Sequence, residues 1–252
     1  MVRLGQNFLA DPNLLEAIVR EADPDPRDVV LEVGGGEGGL TARLAERAGH
    51  VHVVELDERL RAPLEAIAAE HGNVELVFGD AMRLDLRALD PPPSRMVANL
   101  PYAIATPLIL RTIAELDAIG SWTLMVQREI ADRLRAAPGS KTYGSPSVLV
   151  QLACSARLLR AVDRAVFVPR PRVDSALLGL ERVAPAATPR VARLVRDAFA
   201  HRRKSLARSL EHARPGSREV VRAALADLGL PADARAERLA PEQFVALAER
   251  IR

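Results

Sequence analysis

Apolar residues recur along this 252-residue chain in two rhythms that take turns. Short unbroken apolar runs mark strands buried on both faces, and apolar residues three and four apart mark amphipathic helices. "DPNLLEAIVREA" predicts a helix capped by Asp11 with Pro12 at its first position. "DVVLEV" predicts a buried strand that runs into glycines, and "LTARLAERA" a helix. "HVHVVELD", "NVELVFGDA" and "SRMVANLPY" predict three more strands. Between them come the helix "ERLRAPLEAIAAEH", interrupted near its start by Pro63, and the loop "LDPPPS". "TPLILRTIAEL" reads as helix and "SWTLMVQ" as strand, and the stretch from "SVLVQLACSARLLR" to "VDSALLGLERV" is expected to complete the sheet. Strands alternating with helices imply βαβ units, hence an α/β Rossmann-like, doubly wound, mostly parallel sheet. After Val183 the rhythm is helical only, from "RVARLVRDAFAHRRKSLARSL" to "APEQFVALAERI". The expected organisation is a catalytic domain over 1–183 and a small all-helical domain over 184–252.

The glycines of "LEVGGGEGGLT" carry the first chemical signal. Gly34, Gly36 and Gly39 satisfy G-x-G-x-x-G, and Glu55 ends the next strand, where a carboxylate accepts from ribose hydroxyls. These features alone leave a dinucleotide and S-adenosylmethionine both open. Asp80 at the end of the third strand offers a carboxylate to an adenine amine, and the fourth strand ends in Asn99-Leu100-Pro101-Tyr102. All four elements fall at the carboxyl ends of consecutive strands, where open α/β sheets bind ligands. An aromatic amine is a weak nucleophile because its lone pair is delocalised into the ring. Two acceptors on its hydrogens favour a tetrahedral nitrogen with the lone pair aimed at a methyl donor. Asn99 supplies a side-chain oxygen and Leu100 a backbone carbonyl for this purpose. Pro101 adds rigidity without an N–H, and Tyr102 offers a face to an extruded base.

Composition narrows the function further. Apolar residues make up 48% of the chain and charged residues 27%, the balance of a globular protein. No run is long enough to span a bilayer and the N-terminus lacks a signal-peptide core, so a cytoplasmic, membrane-free protein is expected. The single Cys154 excludes an internal disulfide and a cysteine-built metal site, and no metal is expected. Between Gln151 and Pro215 stand 14 basic and 5 acidic residues, a local +9 in a chain whose net charge is +2. That asymmetry points to a polyanion. Arg170, Arg172, Arg202 and Arg203, with Lys204, are the candidate phosphate contacts, the last three on a short helix with His201 and Arg208.

With these motifs in order, the chain resembles the small-subunit (16S) ribosomal RNA adenine dimethyltransferases. The resemblance runs from "GQNFLADPN" through "EVGGGEGGLT", "VVELD", "GDA", "NLPY" and "FVPRPRVDSALLGL" to "RAERLAPEQFVALA". It implies N6,N6-dimethylation, by S-adenosyl-L-methionine, of two adjacent adenines in a loop near the 3′ end of small-subunit rRNA. The implied partner is the immature 30S subunit and the implied role is ribosome biogenesis; nothing in the sequence demands an oligomer, so a monomer is expected. Carried over by motif, Gln6, Asn7 and Leu9 close over the cofactor. Gly34, Gly36 and Gly38 cradle its methionine part, Glu55 with its neighbour Leu56 takes the ribose, and Asp80 with Ala81 the adenine. Asn99, Leu100, Pro101 and Tyr102 face the target amine, and Phe167 packs on the target base. Two positions depart from the family: Gly35 replaces its proline, and Ala103 its asparagine. The rival readings are the large-subunit adenine methyltransferase of macrolide resistance, a non-catalytic RNA-binding assembly factor and a nicotinamide oxidoreductase.

Overall fold

Five strands set the frame: β2 (Val29–Val33), β3 (His50–Glu55), β4 (Val74–Phe78), β5 (Arg95–Asn99) and β6 (Ser121–Gln127). The computed structural model describes residues 8–9, 11–168 and 173–251. Together with β7 (Cys154–Val162) and β9 (Ser175–Arg182), the five strands form one seven-stranded sheet in the order β4-β3-β2-β5-β6-β9-β7. β4 through β6 pair in parallel, and β9 lies antiparallel to β6. The chain winds outward from β2 to β4, then crosses back to place β5 on the other side of β2. The carboxyl ends of β2 and β5 therefore flank the switch point of the sheet, where a crevice opens.

Helices α1 (Pro12–Ala22), α2 (Gly39–Ala45), α3 (Arg61–His71) and α4 (Ala105–Glu115) connect these strands, and α5 (Arg128–Leu134) follows β6. Asp11 caps α1 by accepting the Asn13 N–H at 2.9 Å, with Pro12 in the first turn as expected. Pro63 sits in the first turn of α3, where its missing N–H leaves no bond unmade. Ile18, Val19, Leu44 and Leu64 pack with Val30, Val51, Val53, Val97 and Met125 of the sheet in one buried cluster.

The contacts divide the chain into two compact units, residues 1–131 with 156–182 and residues 132–155 with 183–252. The second unit contains α6 (Ser145–Ala153), α7 (Pro189–Phe199), α8 (Leu206–Ala213), α9 (Arg218–Asp227) and α10 (Pro241–Arg250). Its centre is aromatic: Phe199 lies with ring centroids 5.9 Å from Tyr143 and 5.8 Å from Phe244. The Tyr143 hydroxyl donates to the Leu239 carbonyl at 2.9 Å.

Two expectations are corrected, and one element was not foreseen. The run "SVLVQLA", expected in the sheet, is the helix α6, and only Cys154–Val162 is strand. A short apolar run does not distinguish a buried strand from a buried helix. Here Pro146 in the first turn and the Ser147 hydroxyl, which accepts the Gly144 N–H at 3.0 Å, start a helix. The long helix read over "RVARLVRDAFAHRRKSLARSL" is two, because His201 to Lys204 form a turn between α7 and α8. Four polar residues in succession give that segment no apolar side to bury. A two-stranded ladder of β1 (Phe8–Leu9) and β8 (Phe167–Val168), pairing Leu9 with Phe167, had no signal long enough to read.

Phe244 is fully buried, so Phe244→Ala is expected to destabilise by about 3–5 kcal/mol. Urea midpoints check this, with Val220→Ala, at a position 50% exposed, as a control that barely moves.

Candidate active site

The loop after β2 turns through three glycines with left-handed backbone: Gly34 at φ +85°, Gly36 at φ +58° and Gly38 at φ +84°. A Cβ on Gly34 would lie 3.6 Å from the Asn99 carbonyl oxygen and 3.6 Å from the Pro101 ring, filling the gap between the two loops. The Gly36 N–H donates to Glu55 Oε2 at 3.1 Å, and the Asp57 N–H to Glu55 Oε1 at 2.8 Å. Each oxygen of this buried carboxylate keeps a second lone pair for a ligand hydroxyl. Backbone bonds continue the tie from strand to strand: Gly34 N–H to Val54 O, and Gly79 N–H to Glu55 O, both 2.8 Å. Gly35, where the family carries proline, has no room for a Cβ: one would stand 2.6 Å from Val53 Cγ1.

Asp80 follows β4 and accepts the Met82 N–H at 2.8 Å. Its loop is braced by Arg111 of α4, whose guanidinium donates to the carbonyls of Ala81 and Leu84 at 2.7 Å each. Sequence reasoning passed over Arg111 because it reads as one more polar residue on a helix. On the other side of the crevice Leu100 is buried, its N–H donating to Met125 O at 3.1 Å. Tyr102 Oη bonds Ser175 Oγ at 2.7 Å. Burial pushes the Tyr102 phenol above its usual range, so it stays neutral at pH 7. Phe167 is 2% exposed and packs in the core cluster, and as it stands it presents no open face to a base. Gln6 and Asn7 lie outside the described residues, as do Arg170 and Arg172. Leu9 is in β1.

Behind the glycine loop, Glu32 is 1% exposed. Burial raises its pKa to about 8 against the lowering effect of the Thr41 hydroxyl, which donates to it at 2.6 Å; the nearby Glu55 raises it further. Read in sequence, Glu32 is only part of the strand "DVVLEV".

In the second unit, Arg203 and Lys204 line a cavity of about 500 Å³ with Arg208, Arg218, Arg222 and Arg235. The last three escape a reading of the sequence, because they are distant along the chain: Arg218 and Arg222 come near when α8 and α9 pack together, and Arg235 comes from the segment between α9 and α10. Arg202 does different work. It donates to the Tyr143 carbonyl at 2.8 Å and the Lys141 carbonyl at 3.2 Å.

Parallel strands, a glycine turn, two acids at strand ends and an Asn-Leu-Pro-Tyr turn across the switch point define a class I methyltransferase fold. The residues present fit S-adenosylmethionine. Glu55 retains acceptors, Leu56 presents a 52% exposed apolar side chain, and residue 34 leaves a gap between loops. A model of the ribosomal RNA adenine dimethylase family matches residues 2–252, and the chain belongs to that family. A ribosomal RNA small subunit methyltransferase A of Rubrobacter xylanophilus is 48% identical over 99% of this chain and 94% of its own. That of Alkaliphilus metalliredigens is 38% identical over 98% and 90%. The crystal structure of a dimethyladenosine transferase from Plasmodium falciparum aligns with a TM-score of 0.81 at 26% identity, covering 95% of each chain. That of the 23S rRNA methyltransferase ErmE aligns at 0.72 and 32% identity, covering 97% of this chain and 99% of its own.

Glu32 makes stability depend on pH. The folded protein keeps a proton that the unfolded chain releases near an ordinary glutamate pKa, so stability falls as pH rises toward about 8 and then levels. Glu32→Gln removes this slope. Urea midpoints of the two proteins at acidic, neutral and alkaline pH check it, and parallel curves would contradict the assignment.

Proposed function

We propose that this protein transfers methyl groups from S-adenosylmethionine to the N6 amines of two adjacent adenines near the 3′ end of small-subunit rRNA, in the cytoplasm, during ribosome assembly. The observation that carries the proposal is the meeting of Asn99 and Pro101 with Gly34 at the switch point of the sheet. The names of the curated relatives supply the RNA class.

The cofactor supplies an electrophilic methyl group. The chain supplies position. The Asn99 side chain and the Leu100 carbonyl accept from the two hydrogens of the target amine, which turns its lone pair outward. Leu100 N–H is already committed to Met125 O, which fixes the peptide between the two acceptors. Tyr102, held through its hydroxyl by Ser175, offers its ring to the base. No general base is required, because the amine loses its proton only after the methyl is bound and the nitrogen is cationic. Catalysis is then positioning, and displacement of the nucleophile by one ångström costs about a hundredfold. Glu55 and Asp80, held by backbone N–H groups, take the ribose and adenine of the cofactor.

Affinity for RNA comes from phosphate neutralisation rather than base reading. Arg203, Lys204 and Arg208 open onto one basic cavity and suit that role. Arg202, spent on backbone carbonyls, suits the positioning of the loop through Tyr143.

Labelled methyl transfer to immature small subunits, followed by primer extension on both rRNAs, tests the reading. Stops on two adjacent small-subunit adenines are expected, and a stop only on large-subunit RNA would transfer the protein to the ErmE-like activity. Asn99→Ala is expected to lower the rate by about a hundredfold or more with RNA affinity kept. Arg203→Ala with Arg208→Ala should lessen the salt dependence of RNA binding by about one logarithmic unit of slope for each phosphate that is no longer neutralised. Filter binding over a salt series measures it.

A further inference from the structure

The start of β3 carries a second group of chemically active side chains, at the far end of the sheet from Glu55 and Asp80. In "HVH" the alternation of a strand puts His50 and His52 on one face. β4 pairs alongside with Glu75 opposite His52. Glu75 Oε2 lies 2.9 Å from His52 Nδ1 and 3.5 Å from His50 Nε2, and the three ligand atoms lie within 4.8 Å of one another.

His52 is fully buried, and its ring orientation is set by a bond on the other side: Nε2 is 2.8 Å from the Pro91 carbonyl oxygen. A carbonyl only accepts, so Nε2 carries hydrogen, and the neutral ring keeps its lone pair on Nδ1. Histidines that bind metals are oriented this way, with the second nitrogen donating to a carbonyl or carboxylate. Among the described residues, neither His52 Nδ1 nor His50 Nε2 has an aligned hydrogen-bond partner, although both atoms are buried. The carboxylate oxygen is near both nitrogens but off the line of a hydrogen bond. An ion placed among the three atoms would give both buried nitrogens the partner they lack. Ligand atoms about 2.0–2.1 Å from a four-coordinate zinc stand roughly 3.3 Å apart, and the two observed separations, 2.9 and 3.5 Å, bracket this.

We propose that His50, His52 and Glu75 bind one divalent transition-metal ion, with zinc the best match to two imidazoles and a carboxylate. The ion joins β4, the edge strand of the sheet, to β3. Its fourth position is open to water on the side of Glu75, which is half exposed. The role is structural: the ion ties together the amino ends of the two strands whose carboxyl ends bear Glu55 and Asp80. The motif is hidden in the sequence because its third ligand stands on another strand, and because a chain with one cysteine carries none of the familiar cysteine spacings of a zinc site.

The test is titration of chelator-stripped full-length protein with zinc chloride, followed by calorimetry, by metal analysis after desalting and by thermal melting. One zinc per chain and a raised Tm are expected. Glu75→Gln, at a half-exposed position, and His50→Gln, at a partly exposed one, should each weaken binding at least tenfold while the metal-free variants keep the wild-type circular dichroism spectrum. His212→Gln serves as the control, since His201 and His212 form a separate ring pair 4.6 Å apart. It should leave the affinity unchanged. Three results would overturn the proposal: no zinc retained by the wild type, equal affinity in the Glu75→Gln and His50→Gln variants, or binding that is lost with His212→Gln instead.

Discussion

The close approach of two backbone loops at the switch point is the constraint on which the rest depends. Gly34 takes φ +85°, and the place its Cβ would occupy lies 3.6 Å from both the Asn99 carbonyl and the Pro101 ring. A side chain there would stand between the glycine loop and the Asn99–Tyr102 loop. The parallel order of β3, β2 and β5 exists in the same sense to bring these two loops side by side. Glu55 then locks the first loop through the Gly36 N–H. Met125, from β6, locks the second through the Leu100 N–H. Both loops are thus anchored by neighbouring strands rather than by their own flexible residues, which suits a reaction driven by position.

Gly35 shows how such a loop changes without being lost. Proline in the family stiffens the turn, and glycine would by itself loosen it. Here the space beside residue 35 is filled by Val53 and Leu64. The rigidity lost from the ring is supplied by packing from β3 and α3. Glu32 adds a second restraint behind the turn: a buried carboxyl that holds its proton near neutral pH and receives the Thr41 hydroxyl of α2. A neutral acid can be buried there where a carboxylate beside Glu55 would repel its neighbour.

The parts of the protein legible in the sequence were those where chemistry and periodicity coincide. Glu55, Asp80 and Asn99 each close an apolar run, so their placement at strand ends followed once the strands were read. What stayed hidden needed packing to exist. Arg111 becomes a brace only when α4 lies against the loop after β4. α6 imitated a strand because Val148, Leu149 and Val150 are all buried, leaving no polar side to reveal the helical period. Sequence distance likewise hid the pairing of Glu75 with His52, which exists only because β3 and β4 run parallel in that register.

The basic segment teaches the same lesson about charge. Its excess of arginine was read as a polyanion footprint, yet arginine is also a planar donor that satisfies several carbonyls at once. Arg182 donates to the carbonyls of Ile119, Ile113 and Leu116 and lies over the Trp122 ring. Arg190 donates to the Ile251 carbonyl, and Arg202 to those of Tyr143 and Lys141. These guanidiniums close helix and loop ends, and their charge reaches a ligand only as background. The cations grouped around one basic cavity are fewer and more local than a count along the chain implies. They gather where α8 and α9 meet, with Arg203 and Lys204 reaching in from the turn that the charged run itself breaks between α7 and α8. The same four polar residues that stop the helix therefore present two of its cations to solvent, and a single local feature of the sequence sets both the bend and the basic surface.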